Sequence, residues 1–176
     1  APVLRSVVVL GGEGLDLARL GATADGTDLV RWLTLLPPDR LTPGAYRQLA
    51  SRLAREAGLT TRFYGERALA RLGAGAFLAV SRGSPRRDAG ILRISYRPKG
   101  RATRRAPIAL VGKGICFDTG GTNLKPHKHM LDMHTDMAGS AVVLATVLAL
   151  ARQRFDAPVD AWLALAENRI GPAAYQ

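Results

Sequence analysis

Between Met137 and Ala151 the chain runs for fifteen residues without a charge. Helical spacing from Met137 to Arg154 puts apolar groups on almost every side of this run. Such a helix has to be enclosed between layers rather than laid on a surface. Fifteen residues also fall short of the ~20 that a membrane-spanning helix needs, and no basic-then-apolar leader opens the chain. The cytoplasm is therefore the expected compartment. An apolar fraction of 47% over 176 residues supports an enclosed core and excludes a disordered chain. Cys116 is the only cysteine, which excludes a disulfide scaffold and a zinc finger and fits a small buried hydrophobe.

The flanking segments supply the other layers. Strands are expected over Ser6–Leu10, Thr60–Tyr64, Phe77–Ser81, Ile91–Tyr96, Pro107–Val111 and Val159–Ala166. The run at 107–111 leads into a glycine-rich loop and reads as a buried central strand. Helices are expected over Asp25–Leu36, from Thr42-Pro43 to Gly58, and over Glu66–Leu72. The second has the clearest limits, with a Thr cap, a proline in the first turn and a terminating glycine. Strands alternating with helices imply an α/β fold. Pro37-Pro38-Asp39-Arg40 is a candidate boundary between an N-terminal segment and the main unit. The start at Ala1 and the stop at Gln176 are expected to be those of a piece of something longer.

The formal net charge is +11, from 25 Lys+Arg and 14 Asp+Glu. Nine of the basic residues lie between Arg82 and Arg105, where Asp88 is the one acid. Such a patch attracts nucleic acid. Few aromatics interleave with it, so a solvated hairpin and loop is the favoured reading.

Several nucleotide and nucleophile motifs fail on spacing. Pro107 and Gly114 break a P-loop at Gly112-Lys113, Phe117 breaks a dinucleotide fingerprint, and Ala138 breaks a nucleophile elbow at Ser140. One constellation survives. Lys113, Asp118 and Lys125 lie on a loop just after a strand, where open α/β sheets bind ligands. Asp136 follows at the start of the apolar helix. Two carboxylates and two lysines thus converge where helix meets sheet. Carboxylates suit Zn²⁺, Mn²⁺ or Mg²⁺, and a lysine joins them only as the neutral amine, a form favoured by a metal and by desolvation. A Lys–Asp salt-bridge network, with Asp136 capping the helix, is the alternative.

Three stretches carry a resemblance. They are Leu110-Val-Gly-Lys-Gly-Ile-Cys-Phe-Asp-Thr-Gly-Gly-Thr-Asn-Leu-Lys-Pro126, Met133-His-Thr-Asp-Met-Ala-Gly-Ser-Ala141 and Ala166-Glu-Asn-Arg-Ile-Gly-Pro-Ala-Ala-Tyr175. Together they resemble the leucyl aminopeptidase (M17) family, and Pro37 to Pro43 resembles the approach to its catalytic domain. The resemblance runs from about residue 25 to the end. It implies a three-layer α/β sandwich with a mixed central sheet flanked by helices. Residues 1–24 would be the end of an N-terminal domain or a linker, and 25–176 an incomplete catalytic domain. The implied activity is two-metal release of N-terminal residues, often leucine, from peptides, in a subunit usually assembled as a hexamer.

Carried over residue by residue, Lys113, Asp118 and Asp136 are the implied ligands of two divalent ions, Zn or Mn, with Asp118 bridging. Lys125 polarises the scissile carbonyl, and Met133 walls the pocket for the first side chain. The family's second ligand run, Asn-Thr-Asp-Ala-Glu-Gly-Arg, does not occur in this sequence. The chain by itself is therefore expected to be inactive. The alternative is a truncated, non-catalytic homologue acting as an assembly or nucleic-acid-binding module. His134 stands where the family has Lys. His127 and His129 are read as surface residues, and Glu167 as structural.

Overall fold

The computed structural model describes residues 6, 8, 10–98 and 106–175. Asp16 caps the first helix, α1 (Leu17–Leu35), by accepting from the Arg19 N–H. Helix α2 (Pro43–Glu56) starts as expected, with Thr42 Oγ1 accepting from the Ala45 N–H at 3.3 Å. A carboxylate also reaches this helix start: Asp88 Oδ2 accepts from the Gly44 N–H at 3.0 Å. Gly58 closes the segment at φ +73°, a left-handed geometry that a side chain would strain.

Four strands follow among the described residues, β1 (Thr60–Gly65), β2 (Gly90–Tyr96), β3 (Ile108–Asp118) and β4 (Val159–Asn168), in the sheet order β1-β2-β4-β3. The β1–β2 and β2–β4 pairs are antiparallel and the β3–β4 pair is parallel, so the sheet is mixed and the fold is α/β, as expected. Helices α3 (Glu66–Arg71) and α4 (Gly75–Ser81) lie between β1 and β2; the short α5 (His127–Met130) and a 3₁₀ turn (Met133–Thr135) precede α6 (Ala138–Arg152).

Strand periodicity sorts the core. Leu92, Ile94, Val159, Ala161, Leu163 and Leu165 turn to one face and are fully buried there. Tyr46, Ala50 and Ala54 of α2 and Ala141, Leu144 and Val147 of α6 join the same core. Helix α1 packs along α6, burying Ala22 and Leu33. The run His127–Arg152 is apolar enough by composition to cross a membrane, but α6 spends its apolar surface on β3, β4 and α1. The opposite sheet face is half-buried. There Tyr64 and Trp162 stack at 6.0 Å, and Arg93 lies over the Trp162 ring.

Several expectations are corrected. Phe77–Ser81 is helical, within α4, because Ser81 packs inward and its Oγ donates to Glu66 Oε1 on α3 at 2.7 Å. The strand at 107–111 continues to Asp118 and forms an edge of the sheet among the described residues, with Val111 exposed. Its glycines belong to the strand because α6 lies against them: a Cβ on Gly112 would stand 2.6 Å from Ser140 Cα. Asp136 does not cap α6; Met137 holds the cap position. Helix α1 begins eight residues earlier than expected and runs unbroken through residues 24 and 25. Of Ser6–Leu10, Ser6 and Val8 form no strand, Leu10 lies in a turn, and the rest is outside the described residues.

Candidate metal and catalytic site

The site grows from the C-terminal end of the parallel β3–β4 pair. Strand β3 delivers Lys113 and Asp118, and its register is irregular between Ile115 and Asp118. There the chain leaves the sheet through Gly120 (φ +90°) and Gly121 (φ +66°) and returns to Lys125. A Cβ on Gly120 would lie 2.3 Å from the Asn123 carbonyl oxygen, so only glycine lets this loop close. The loop is pinned to β4. Thr119 N–H and Thr119 Oγ1 both donate to the Asn168 carbonyl, at 2.8 Å and 2.9 Å.

All four charged candidates come into play, as two pairs. Lys113 Nζ donates to Asp136 Oδ1 at 2.5 Å, and Lys125 Nζ stands 3.3 Å from Asp118 Oδ2. Asp118 Oδ1 accepts from the Gly120 N–H at 2.8 Å and from Asn168 Nδ2 at 2.7 Å. Asp136 Oδ2 is buried and has no hydrogen-bond partner among the described residues. Both carboxylates are mostly enclosed, with side chains 15% and 18% exposed. A buried, unpartnered carboxylate oxygen is costly unless a cation or donor meets it. The donor set, two carboxylates with an amine on each, therefore fits part of a divalent-cation site. Among the described residues, no group of three His, Cys, Asp or Glu could hold a metal ion.

Met133 is half-buried on the 3₁₀ turn, and its carbonyl accepts from the Asp136 N–H at 3.3 Å. His127 and His129 are exposed and His134 is half-buried. Glu167 is 3% exposed and accepts from Ser84 Oγ and from Arg169, a structural role. Burial pushes the Cys116 thiol and the Tyr46 phenol up, so both stay neutral, and Tyr46 Oη and Ser140 Oγ hydrogen-bond at 3.2 Å under the start of α6. A cavity of about 620 Å³ borders the loop, lined in part by Gly120, Gly121, Asn168 and Tyr175. Sequence reasoning missed Asn168 and Asp88 as supports. They lie 50 and 44 residues from their partners, and only the fold joins them.

The basic stretch is largely tied into the fold where it is described. Arg93 and Arg97 both pair with Asp160, Arg87 pairs with Glu66, and Arg82 donates to the Ala173 carbonyl. Lys99, Arg101, Arg104 and Arg105 lie outside the described residues.

The chain is 45% identical over 140 residues to a probable cytosol aminopeptidase of Corynebacterium glutamicum, covering 80% of this chain and 27% of that protein. The fold superposes with a TM-score of 0.85 on the apo leucyl aminopeptidase of Trypanosoma cruzi, at 33% identity, covering 90% of this chain and 30% of that one. It superposes with a TM-score of 0.83 on the bottromycin maturation enzyme BotP in complex with Mn, at 36% identity, covering 91% of this chain and 34% of that one. The chain thus spans a minor part of the length of each. The catalytic-domain profile of the cytosol aminopeptidase family matches residues 28–176, and the chain belongs to that M17 peptidase family.

Proposed function

We propose that this chain carries the first half of a metal-dependent aminopeptidase site, one that releases N-terminal residues, leucine-type among them, from peptides. The observation that carries the reading is the pairing of Lys113 with Asp136 and of Lys125 with Asp118 beside an unpartnered, buried Asp136 Oδ2. Lys113, Asp118 and Asp136 would hold divalent ions, two in the full site, Zn or Mn. Bound there, such ions supply Lewis acidity and a water made nucleophilic at neutral pH.

The chain's own groups do the rest. Asp118 and Asp136 place their oxygens where the cations would sit, and Lys113, which donates to Asp136 in this structure, would join them through its nitrogen. Lys125, 3.3 Å from Asp118 Oδ2 in this structure, is the group that would polarise the scissile carbonyl and stabilise the oxyanion that develops on it. Met133 walls the pocket for the substrate's first side chain. The unit from residue 25 onward would be the start of the catalytic domain of a cytosolic homo-oligomer, a hexamer as in the family.

The test is a chimera in which this chain replaces the matching region of the Corynebacterium glutamicum relative. It should release leucine from leucyl peptides only with Mn²⁺ or Zn²⁺, and Asp118→Ala should abolish turnover. Undiminished activity in that variant removes the assignment. The 176-residue chain alone should not turn over, because it holds too few carboxylates for two ions.

A further inference from the structure

We infer that Asn168 is a positioning residue for the proposed metal site, fixing which oxygen of Asp118 is left to meet a cation. Asn168 ends β4 and stands opposite Asp118 in the parallel register. Its Nδ2 donates to Asp118 Oδ1 at 2.7 Å, and the Gly120 N–H donates to the same oxygen at 2.8 Å. Two donors occupy the lone pairs of Oδ1. That leaves Oδ2, which faces Lys125 Nζ at 3.3 Å.

The backbone of Asn168 does separate work. Its carbonyl takes both Thr119 donors and anchors the loop. Replacing the side chain therefore removes one of the two donors that hold Oδ1, leaving only the Gly120 N–H, while the loop stays pinned. The amide also sets what can stand next to it. A Cβ on Gly121 would lie 2.9 Å from Asn168 Oδ1. A side chain there would push the amide out of line with Asp118. Groups that orient a metal ligand in this way are typically worth about 10–100-fold in metal affinity.

This inference rests on the proposed metal site, and the experiment separates the two. Mn²⁺ is titrated into the chimera as the parent and into its Asn168→Ala, near-isosteric Asn168→Leu and Asp118→Ala forms. Binding is read from water-proton relaxation, and metal-free thermal melts are recorded for each. Both Asn168 variants should bind Mn²⁺ about 10–100-fold more weakly while melting close to the parent. Asp118→Ala should not bind. If the parent fails to bind, or Asp118→Ala binds like the parent, the site itself is wrong and the inference falls with it. If Asp118→Ala loses binding while both Asn168 variants bind like the parent, the inference alone is overturned. It is also overturned if both Asn168 variants lose cooperative melting, which would make Asn168 a purely structural residue.

Discussion

Gly112→Ala is the sharpest test of how β3 and α6 hold the site together. A Cβ at Gly112 would stand 2.6 Å from Ser140 Cα, 2.8 Å from the Gly139 carbonyl oxygen and 2.9 Å from the Gly139 carbonyl carbon. Every one of these atoms is backbone in the first turn of α6. No side chain can swing aside, so strand or helix must move. Overpacking a close-packed site costs ~1–3 kcal/mol, and a backbone-to-backbone clash belongs in the upper half of that range. With a urea m-value of about 2 kcal/mol/M, a loss of about 2–3 kcal/mol lowers the unfolding midpoint by roughly 1–1.5 M. The same movement carries Asp136, just before α6, away from Lys113, so Mn²⁺ binding should weaken as well. Gly75→Ala is the control: no atom lies within 4 Å of its Cβ position and its φ is not positive, so its midpoint should stay near the parent's. A Gly112→Ala chain that unfolds with the parent would refute the close approach of α6 to β3.

Three further substitutions probe the scaffold. Thr42→Ala removes the acceptor for the Ala45 N–H and should cost ~1 kcal/mol in chemical denaturation. Tyr46→Phe breaks the buried hydrogen bond with Ser140 and should cost ~1 kcal/mol by the same assay. Asp160 joins β4 to Arg93, Ser95 and Arg97; burial works against its charge, but those hydrogen bonds outweigh it and hold its pKa below the ordinary carboxylate range. A depressed carboxylate contributes stability above its unfolded pKa of ~3.9 that is lost as pH falls through the folded value. Asp160→Asn should therefore melt below the parent at pH 7, with the gap closing in acid; a constant gap across pH-dependent melts would contradict the assignment.

What the sequence made legible followed from local rules. The Thr42-Pro43 start and Gly58 stop of α2 are cap chemistry, and the enclosed α6 follows from its charge-free run. The loop from Thr119 to Lys125 was legible through its residue pattern, and Gly120 and Gly121 adopt the positive φ that needs glycine. Phe77–Ser81 failed because a short apolar run has no period that separates strand from helix, and the contact that decides it, Ser81 with Glu66, is tertiary. Gly112 and Gly114 looked like loop because the requirements they meet lie far off in sequence, room for the α6 backbone at Gly112 and for Leu165 and Ala164 of β4 at Gly114. Nothing local in the sequence signalled the roles that Asn168 and Asp88 play. Each acts on a partner that only the sheet and the packing of α2 bring within reach.

The central claim is that Lys125, paired with Asp118 in the resting chain, polarises the scissile carbonyl. Steady-state kinetics of the chimera and its Lys125→Ala variant on leucyl peptides, with Mn²⁺ present, test it most directly. Removing one oxyanion donor should lower kcat by roughly 10²–10³. KM should move much less, because the contact strengthens only as the oxyanion forms. Undiminished kcat in the variant, or a loss confined to KM, would contradict the account.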